Sequence, residues 1–213
     1  MENKKYKLTS ESIEVKGKTL YRIEALKDFG EIKKGDKGGF IESENNLEHE
    51  GDAWVSDYAC VYDNACVFDN ACVYNNASVS GYAQVYGNAR VYGNARVSDN
   101  SRVYGNSLVY GNARVSDNAR VCGNVRVYGN TNVCGDAEIS TGSDYIVFKN
   151  WWSSGMYFTW TRSNNMWSVG CFYGTGEELI KKAYKDSSKS GRQYERIVKY
   201  VEETLKEEEN GGE

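Results

Sequence analysis

Arginine, serine and tyrosine side chains recur eighteen residues apart in the middle of the chain, and this spacing could bring them together. The recurring residues are Arg96 and Arg114, Ser98 and Ser116, Arg102 and Arg120, and Tyr74, Tyr92, Tyr110 and Tyr128. Guanidinium groups and hydroxyls that lie above one another are suited to hold phosphate or another anion. Tyrosines in a continuous strip are typical of a surface that contacts a partner. The spacing therefore predicts a binding surface of one of these two kinds.

Each series also has a purely structural interpretation, which stays open at this stage. Arginines stacked about 4.8 Å apart repel each other by roughly 0.9 kcal/mol even in water, so a bound anion or nearby carboxylates must offset the repulsion. Asp99 and Asp117 lie within reach of the arginines and could form a salt-bridged ladder with them. The tyrosines could stack as a cross-strand ladder that only stabilises the sheet.

The sequence offers little else for catalysis or metal binding. His49 is the single histidine, lies between two glutamates, and is interpreted as a solvated surface residue and not as a general base. Cys60, Cys66 and Cys72 are six residues apart, which places them on three different sides of the coil that the repeat described below predicts. No cysteine pair has the spacing of metal ligands. We therefore expect reduced thiols, no catalytic residue, no metal site and no cofactor.

Residues 51–140 form the element that must position these side chains. They divide into fifteen six-residue blocks with one template: glycine or aspartate, asparagine, alanine, a variable residue, valine, then tyrosine or serine. In the block 93–98, side chains alternate along a short strand, so Val97 points inward while Arg96 and Ser98 point outward. The glycine, aspartate and asparagine positions favour turns. Each block is therefore one side of a coil plus one corner.

The outer residues show how many sides a coil has. Ser80, Ser98 and Ser116 recur every eighteen residues, so three blocks complete one turn. The repeat predicts a mainly β protein with a three-sided parallel β-helix of about five coils, roughly 24 Å long at about 4.8 Å per stacked strand. In this template the chain resembles the hexapeptide-repeat family, and a left-handed coil is what that resemblance implies.

Different patterns on either side of the repeat divide the chain into three parts. Residues 1–50 predict an N-terminal β cap, with a hairpin around Lys16–Thr19. Residues 141–213 predict an antiparallel β-meander of three aromatic-rich runs, followed by two helices. The first helix begins at a capping box at Thr175 and the second covers about 193–208. This C-terminal unit could cap the coil, mediate assembly or carry a target-binding surface.

Composition and charge narrow the classes of partner. The chain has 213 residues and a formal net charge of −4. No apolar run approaches the roughly 18 residues of a membrane span, so we expect no signal peptide and no membrane association. The coil carries six arginines against eight carboxylates, which disfavours nucleic acid as the main target.

The chain also resembles accessory proteins of phages and prophages. The resemblance rests on the coil repeat, on the Lys-Gly-Gly-Phe-Ile segment at residues 37–41 and on the Gly-Cys-Phe-Tyr-Gly-Thr segment at residues 170–175. It implies a small protein in the cytoplasm of a bacterial host cell, with interference with a host system as an expectation. We therefore expect a non-catalytic binding protein that docks a host or phage protein, or a small anionic ligand, and that could form a homo-oligomer.

Two alternative functions remain open. Hexapeptide-repeat acyltransferases resemble this chain in the coil, and their use of a histidine at a trimer interface implies the same role for His49. No coil, however, carries an inserted loop of the kind that covers the acyl donor in that family. The second alternative is a nucleotide-sequestering protein that uses the arginine and serine faces.

Overall fold

A β-hairpin precedes the coil in the computed structural model, which describes residues 4–210. Strands β1 (Tyr6–Val15) and β2 (Lys18–Ala25) pair antiparallel. Lys16 and Gly17 form the turn, with φ of 50° and 78°. A two-residue hairpin turn of this type needs left-handed backbone angles at both positions. Strand β3 (Lys37–Ile41) then pairs antiparallel with β2. The predicted N-terminal hairpin is confirmed.

Fifteen two-residue strands follow at six-residue intervals. They are β4 (Trp54–Val55), β5 (Cys60–Val61), β6 (Cys66–Val67), β7 (Cys72–Val73), β8 (Ser78–Val79), β9 (Gln84–Val85), β10 (Arg90–Val91), β11 (Arg96–Val97), β12 (Arg102–Val103), β13 (Leu108–Val109), β14 (Arg114–Val115), β15 (Arg120–Val121), β16 (Arg126–Val127), β17 (Asn132–Val133) and β18 (Glu138–Ile139).

These strands stack into three parallel sheets, one for each side of the coil. The first face consists of β4, β7, β10, β13 and β16. The second face consists of β5, β8, β11, β14 and β17, and the third consists of β6, β9, β12, β15 and β18. Arg96 pairs with Arg114 on the second face, and Arg102 pairs with Arg120 on the third. The predicted register of eighteen residues and the three-sided parallel β-helix are confirmed.

The coil interior is filled by the two small apolar positions of each block. Valine side chains such as Val97 are fully buried on the flat sides, and alanines such as Ala95 are fully buried at the corners. Where serine replaces alanine, as at Ser101, its hydroxyl donates to the Ser98 carbonyl at 2.6 Å, so the buried polar group is satisfied. Each repeat thus buries its apolar side only against neighbouring repeats.

The corners require left-handed backbone and close stacking. Gly93 has a φ of +73°, and a Cβ atom there would lie 3.0 Å from the nitrogen of Gly111 in the next coil. Aspartate or asparagine takes the same conformation in other blocks, as at Asp99 and Asp117, with φ near 60°. This explains why the template alternates between glycine and short polar residues at this position.

The coil has about six turns and not the predicted five, because residues before the regular repeat add one. Strand β3 pairs in parallel with β5, and Leu47 forms a parallel bridge with Val67. The side chain of Asn46 is buried and donates to the carbonyls of Asp63 and Ala65 at 3.0 and 2.9 Å. This first turn is irregular in sequence, so the six-residue template does not detect it.

The C-terminal unit is an antiparallel sheet covered by two helices. Its strands are β19 (Tyr145–Lys149), β20 (Tyr157–Thr161), β21 (Met166–Val169) and β22 (Phe172–Gly174), and its helices are α1 (Gly176–Asp186) and α2 (Ser188–Asn210). The predicted meander is confirmed, but its third run is split in two because Gly170 turns the chain at a φ of +57°. The predicted capping box is present, with the Thr175 hydroxyl accepting from the Glu178 N–H at 3.2 Å.

The C-terminal unit covers the end of the coil. The Thr159 hydroxyl accepts from the Asn132 N–H at 3.0 Å, and the Ser168 hydroxyl donates to the Asn132 carbonyl at 2.8 Å. The Ser163 hydroxyl accepts from the Glu138 N–H at 2.7 Å. These bonds provide partners for backbone groups of β17 and β18, which would otherwise lie at an unpaired sheet edge. In the described part of the chain, no helix is long and apolar enough to cross a membrane.

Candidate functional site

A groove of about 550 Å³ lies along the second face of the coil. The hairpin turn limits one end through Val15 and Lys16, and Gly170 of the C-terminal unit limits the other. Its floor is formed by outward side chains of the stacked strands, namely Cys60, Tyr62, Ser78, Ser80, Arg96, Ser98, Arg114, Ser116 and Asn132. Four of the predicted binding residues, Arg96, Arg114, Ser98 and Ser116, therefore line one concave surface.

Within residues 4–210, the groove lining is rich in hydrogen-bond donors and contains no carboxylate. Lys16, Arg96 and Arg114 are cationic and exposed, and four serine hydroxyls lie along the same surface. The whole chain has a net charge of −4, so this positive lining is a local feature. The carboxylates of Asp99, which accepts from Ser98, and of Asp63, which interacts electrostatically with Lys16, flank the groove. A surface with several donors and no carboxylate in its described lining is suited to an anion.

The predicted salt-bridged ladder is wrong within residues 4–210. No carboxylate oxygen there lies within 4.0 Å of the guanidinium groups of the stacked arginines, which are Arg96, Arg114, Arg102 and Arg120. Their guanidinium charges are therefore not neutralised by the protein at short range.

The corner aspartates bond to other groups. Asp99 accepts from the hydroxyl of Ser98 at 2.8 Å and from the N–H of Asp117 at 3.4 Å. Asp117 in turn accepts from the N–H of Gly135 at 2.8 Å. At these left-handed corners the carboxylate is directed along the coil axis to the backbone of the next turn, and not across the face to the arginines.

Tyr62 lies at the hairpin end of the groove and is surrounded by donors. Its side chain is only 3% exposed, and Lys16 Nζ lies 5.8 Å from its ring centroid. Burial alone would raise the pKa of Tyr62, but interactions with the nearby donor groups of Ser78, Ser80 and Lys16 outweigh it and lower the pKa below its ordinary value. The donors at this end of the groove therefore favour a negatively charged oxygen. The guanidinium groups of Arg96 and Arg114 favour one further along the groove.

The other predicted binding residues lie elsewhere. Arg102 and Arg120 are neighbours on the third face and do not line this groove. The tyrosines of the first face stack with ring centroids 4.8 to 5.4 Å apart in the order Tyr74, Tyr92, Tyr110, Tyr128. The cross-strand tyrosine ladder is therefore confirmed. Tyr128 at its end is 54% exposed, and a role of this column in binding a partner stays a prediction.

His49 is more enclosed than the sequence suggested. Its ring stacks on Tyr6 at a centroid distance of 4.3 Å, and its Nδ1 accepts from the Lys5 N–H at 3.3 Å. Its Nε2 lies 3.7 Å from Glu44 Oε2, which is too long for a hydrogen bond. The interpretation as a solvated surface residue is corrected: His49 is a partly buried packing residue of the N-terminal cap.

A second cavity, of about 620 Å³, lies beside His49 in the N-terminal cap. Its lining mixes lysines with the carboxylates of Asp28, Glu50 and Asp52, and it contains neither serine nor cysteine. Residues 4–210 contain no group of three or more histidine, cysteine, aspartate or glutamate side chains arranged to hold a metal ion.

Lys16, Tyr62, Ser78 and Ser80 were not selected from the sequence as binding residues. The eighteen-residue register places Tyr62 and Ser80 in the same column as Ser98 and Ser116, so their position could have been found from the repeat. No period relates the hairpin turn to the coil, and the place of Lys16 therefore required the structure.

Comparison with known families supports a repeat β-solenoid protein. A family model described as "YdcK Beta solenoid repeat" matches residues 83–99, 89–105, 95–111, 109–121 and 119–135. The matched segments lie within the coil and include Arg96 and Arg114. No curated protein matches the chain. The fold and this match together define the class as a repeat β-solenoid with a donor-rich groove on one face.

Proposed function

We propose that this protein is a non-catalytic binding protein whose second-face groove holds a small anionic ligand. The observation that carries the proposal is the pair Arg96 and Arg114. They are in register on adjacent strands, are exposed, and have no carboxylate within 4.0 Å among residues 4–210. Adjacent like charges repel, and a bound anion would offset this repulsion while receiving charge-assisted hydrogen bonds.

The two guanidinium groups supply the main contacts in this proposal. Each presents a planar set of N–H donors that matches two oxygens of a phosphate group. Ser116 can donate from the same face, whereas the hydroxyl of Ser98 already donates to Asp99 at 2.8 Å. The parallel strands below hold the backbone rigid, so the conformational cost of binding falls mainly on the two exposed arginine side chains.

The biological setting is a second part of the proposal. The resemblance to accessory proteins of phages and prophages supports a protein that acts in the cytoplasm of a bacterial host cell. There it would antagonise a host system by withholding an anionic ligand, and sequestration of a nucleotide is one form of this role. The charge balance of the coil continues to disfavour nucleic acid.

Docking of a host or phage protein is a second candidate function. Several aromatic and sulfur-containing side chains remain exposed at the C-terminal end, namely Tyr128 (54%), Trp151 (75%), Met156 (43%) and Tyr157 (38%). Tyr128 and Tyr157 line one cavity of about 480 Å³. Exposed aromatic residues of this kind are enriched at protein interfaces, including those between copies of one chain.

The acyltransferase alternative has less support. The strands recur every six residues from Trp54 to Ile139 without an inserted loop that could cover an acyl donor. His49 Nδ1 is occupied by the Lys5 N–H. Sedimentation analysis would discriminate further, because this alternative requires a trimer in which His49 faces a cleft between subunits.

The main proposal is tested by calorimetric titration at low salt. Orthophosphate and mono-, di- and cyclic nucleotides are titrated into the wild type and into the double variant Arg96→Gln/Arg114→Gln. We expect micromolar binding of at least one of these anions to the wild type and its loss in the double variant, because both charge-assisted contacts are removed together.

The matched control is the double variant Arg102→Gln/Arg120→Gln, which removes an equivalent stacked pair from the third face. This control should bind as the wild type does. Absence of binding to the wild type would contradict the proposal and leave protein docking as the function. Equal loss in both double variants would show that only overall charge matters, which would also contradict a site in the groove.

A further inference from the structure

We infer that the ligand of the second-face groove is an extended chain of linked phosphate groups, held at one end by Arg96 and Arg114 and at the other by Lys16. This inference rests on the proposed function, and it adds the class of ligand and a third binding residue. Lys16 belongs to the hairpin turn and not to the coil, and its position at the groove is visible only in the structure.

The cations occupy two separate stretches of the groove. Lys16 Nζ lies 5.8 Å from the ring centroid of Tyr62, which directly follows β5. The strand order of this face is β5, β8, β11, β14, so Arg96 on β11 is two strands away and Arg114 on β14 is three. At about 4.8 Å per strand, these arginines lie roughly 10 and 14 Å along the face from Tyr62. A single phosphate group is too short to contact both stretches.

The stretch between the cations also suits an anionic chain. Ser78 on β8 and Ser80, which follows it, line this intermediate part, and no carboxylate of the described part of the chain lines the groove. The hydroxyl of Ser78 is partly exposed and can donate to a phosphate oxygen between the two cationic stretches, whereas Ser80 is buried. The hairpin turn and Gly170 limit the two ends, which restricts the length of chain that fits.

The lining indicates recognition of the phosphates and not of a base. Tyr62 is the only aromatic residue that residues 4–210 contribute to the lining, and it is 3% exposed. Base recognition without hydrogen-bond readout needs an exposed aromatic face for stacking, which Tyr62 does not provide. The ligand can therefore be inorganic polyphosphate or the phosphate chain of a nucleoside polyphosphate, and the shared chemistry is the chain of phosphates.

Calorimetric titration with phosphates of different length tests this inference. Orthophosphate, tripolyphosphate, short-chain polyphosphate and adenosine triphosphate are titrated at low salt into the wild type, Lys16→Gln and Lys16→Arg. We expect short-chain polyphosphate to bind the wild type at least about tenfold tighter than orthophosphate. Lys16→Gln should weaken polyphosphate binding about five- to tenfold and leave orthophosphate binding unchanged, and Lys16→Arg should restore it. The matched control is Lys206→Gln, which removes one exposed charge from α2 and should change nothing.

The outcomes separate this inference from the proposed function. If polyphosphate binds no tighter than orthophosphate, or if Lys16→Gln has no effect, the groove holds a compact anion and the inference is wrong while the proposed function stands. If no phosphate compound binds the wild type, both are wrong. Adenosine triphosphate that binds much tighter than tripolyphosphate would show contacts to the nucleoside and would contradict recognition by the phosphate chain alone. Melting temperatures of all variants are measured to check that the fold is retained.

Discussion

Replacing the stacked arginines of the second face should stabilise the ligand-free protein slightly. Arg96 and Arg114 are paired on adjacent strands without a carboxylate within 4.0 Å in the described residues. At a separation of about 4.8 Å their repulsion is roughly 0.9 kcal/mol in water. Screening reduces this to about 0.7 kcal/mol at 10 mM salt and about 0.2 kcal/mol at 1 M salt. The double change to glutamine should therefore raise the melting temperature by about 1–3 °C at low salt.

Thermal unfolding in a buffer free of phosphate and sulfate measures this effect. Arg102→Gln/Arg120→Gln should give a smaller gain, because Arg120 also lies opposite Glu138 on β18 and the variant loses that attraction. Arg90→Gln is the control without a stacked partner, since Arg90 pairs with Cys72 and Leu108, and it should change the melting temperature little. All gains should shrink as salt is added.

A different result would refute the account of unpaired arginines. If Arg96→Gln/Arg114→Gln lowered the free energy of unfolding by more than about 1 kcal/mol, the guanidinium groups would have to make stabilising contacts within the protein. A gain that is independent of salt would show that charge repulsion is not its cause.

The remaining predictions concern the coil core and the N-terminal cap. Val97→Ala should lower the free energy of unfolding, measured by chemical denaturation, by about 1–3 kcal/mol. Complete unfolding of this variant would contradict the view that neighbouring coils stabilise each other. His49→Ala should leave ligand binding intact but lower the free energy of unfolding by about 0.5–1.5 kcal/mol, because the stacking on Tyr6 is lost. Loss of binding at an unchanged melting temperature would show that His49 is not a packing residue. Burial lowers the pKa of Lys5 to about 8 in the folded protein. The unfolded chain keeps the proton on the Lys5 ammonium group to higher pH, so the stability of the wild type should rise with pH above 8. Lys5→Met should remove about 1.5 kcal/mol of this rise between pH 8 and 9.5, and equal pH slopes for wild type and variant would contradict the lowered pKa.

The coil could be predicted because every repeat obeys the same local rules. Side-chain alternation places Val97 inward and Arg96 outward, and the eighteen-residue period places Arg114 on the same face. The same period places the stacked tyrosines. None of these inferences depends on a contact between distant parts of the sequence, except between one coil and the next.

The partners of the arginines could not be predicted in this way. Sequence proximity suggested that Asp99 and Asp117 neutralise them, but a residue at a left-handed corner directs its side chain to the backbone of the next coil. The choice between ladder and anion site thus depended on the corner conformation, which the six-residue template does not specify.

The ends of the molecule were the least predictable. The first turn of the coil contains β3 and Leu47, which lack the template, and the hairpin that carries Lys16 is placed by its pairing with β3. The C-terminal unit caps the last strands through side chains of Thr159 and Ser168, whose role no local pattern signals. Contacts of this kind are non-periodic, so a repeat cannot reveal them.

The central claim, that the second-face groove is an anion site, is tested most directly by a crystal structure obtained with short-chain polyphosphate. We expect electron density for the phosphate chain in the groove, with phosphate oxygens within about 3 Å of the guanidinium groups of Arg96 and Arg114. The hydroxyl of Ser116 should contact the same density. An empty groove under conditions in which polyphosphate binds, or density on the third face beside Arg102 and Arg120, would contradict the account.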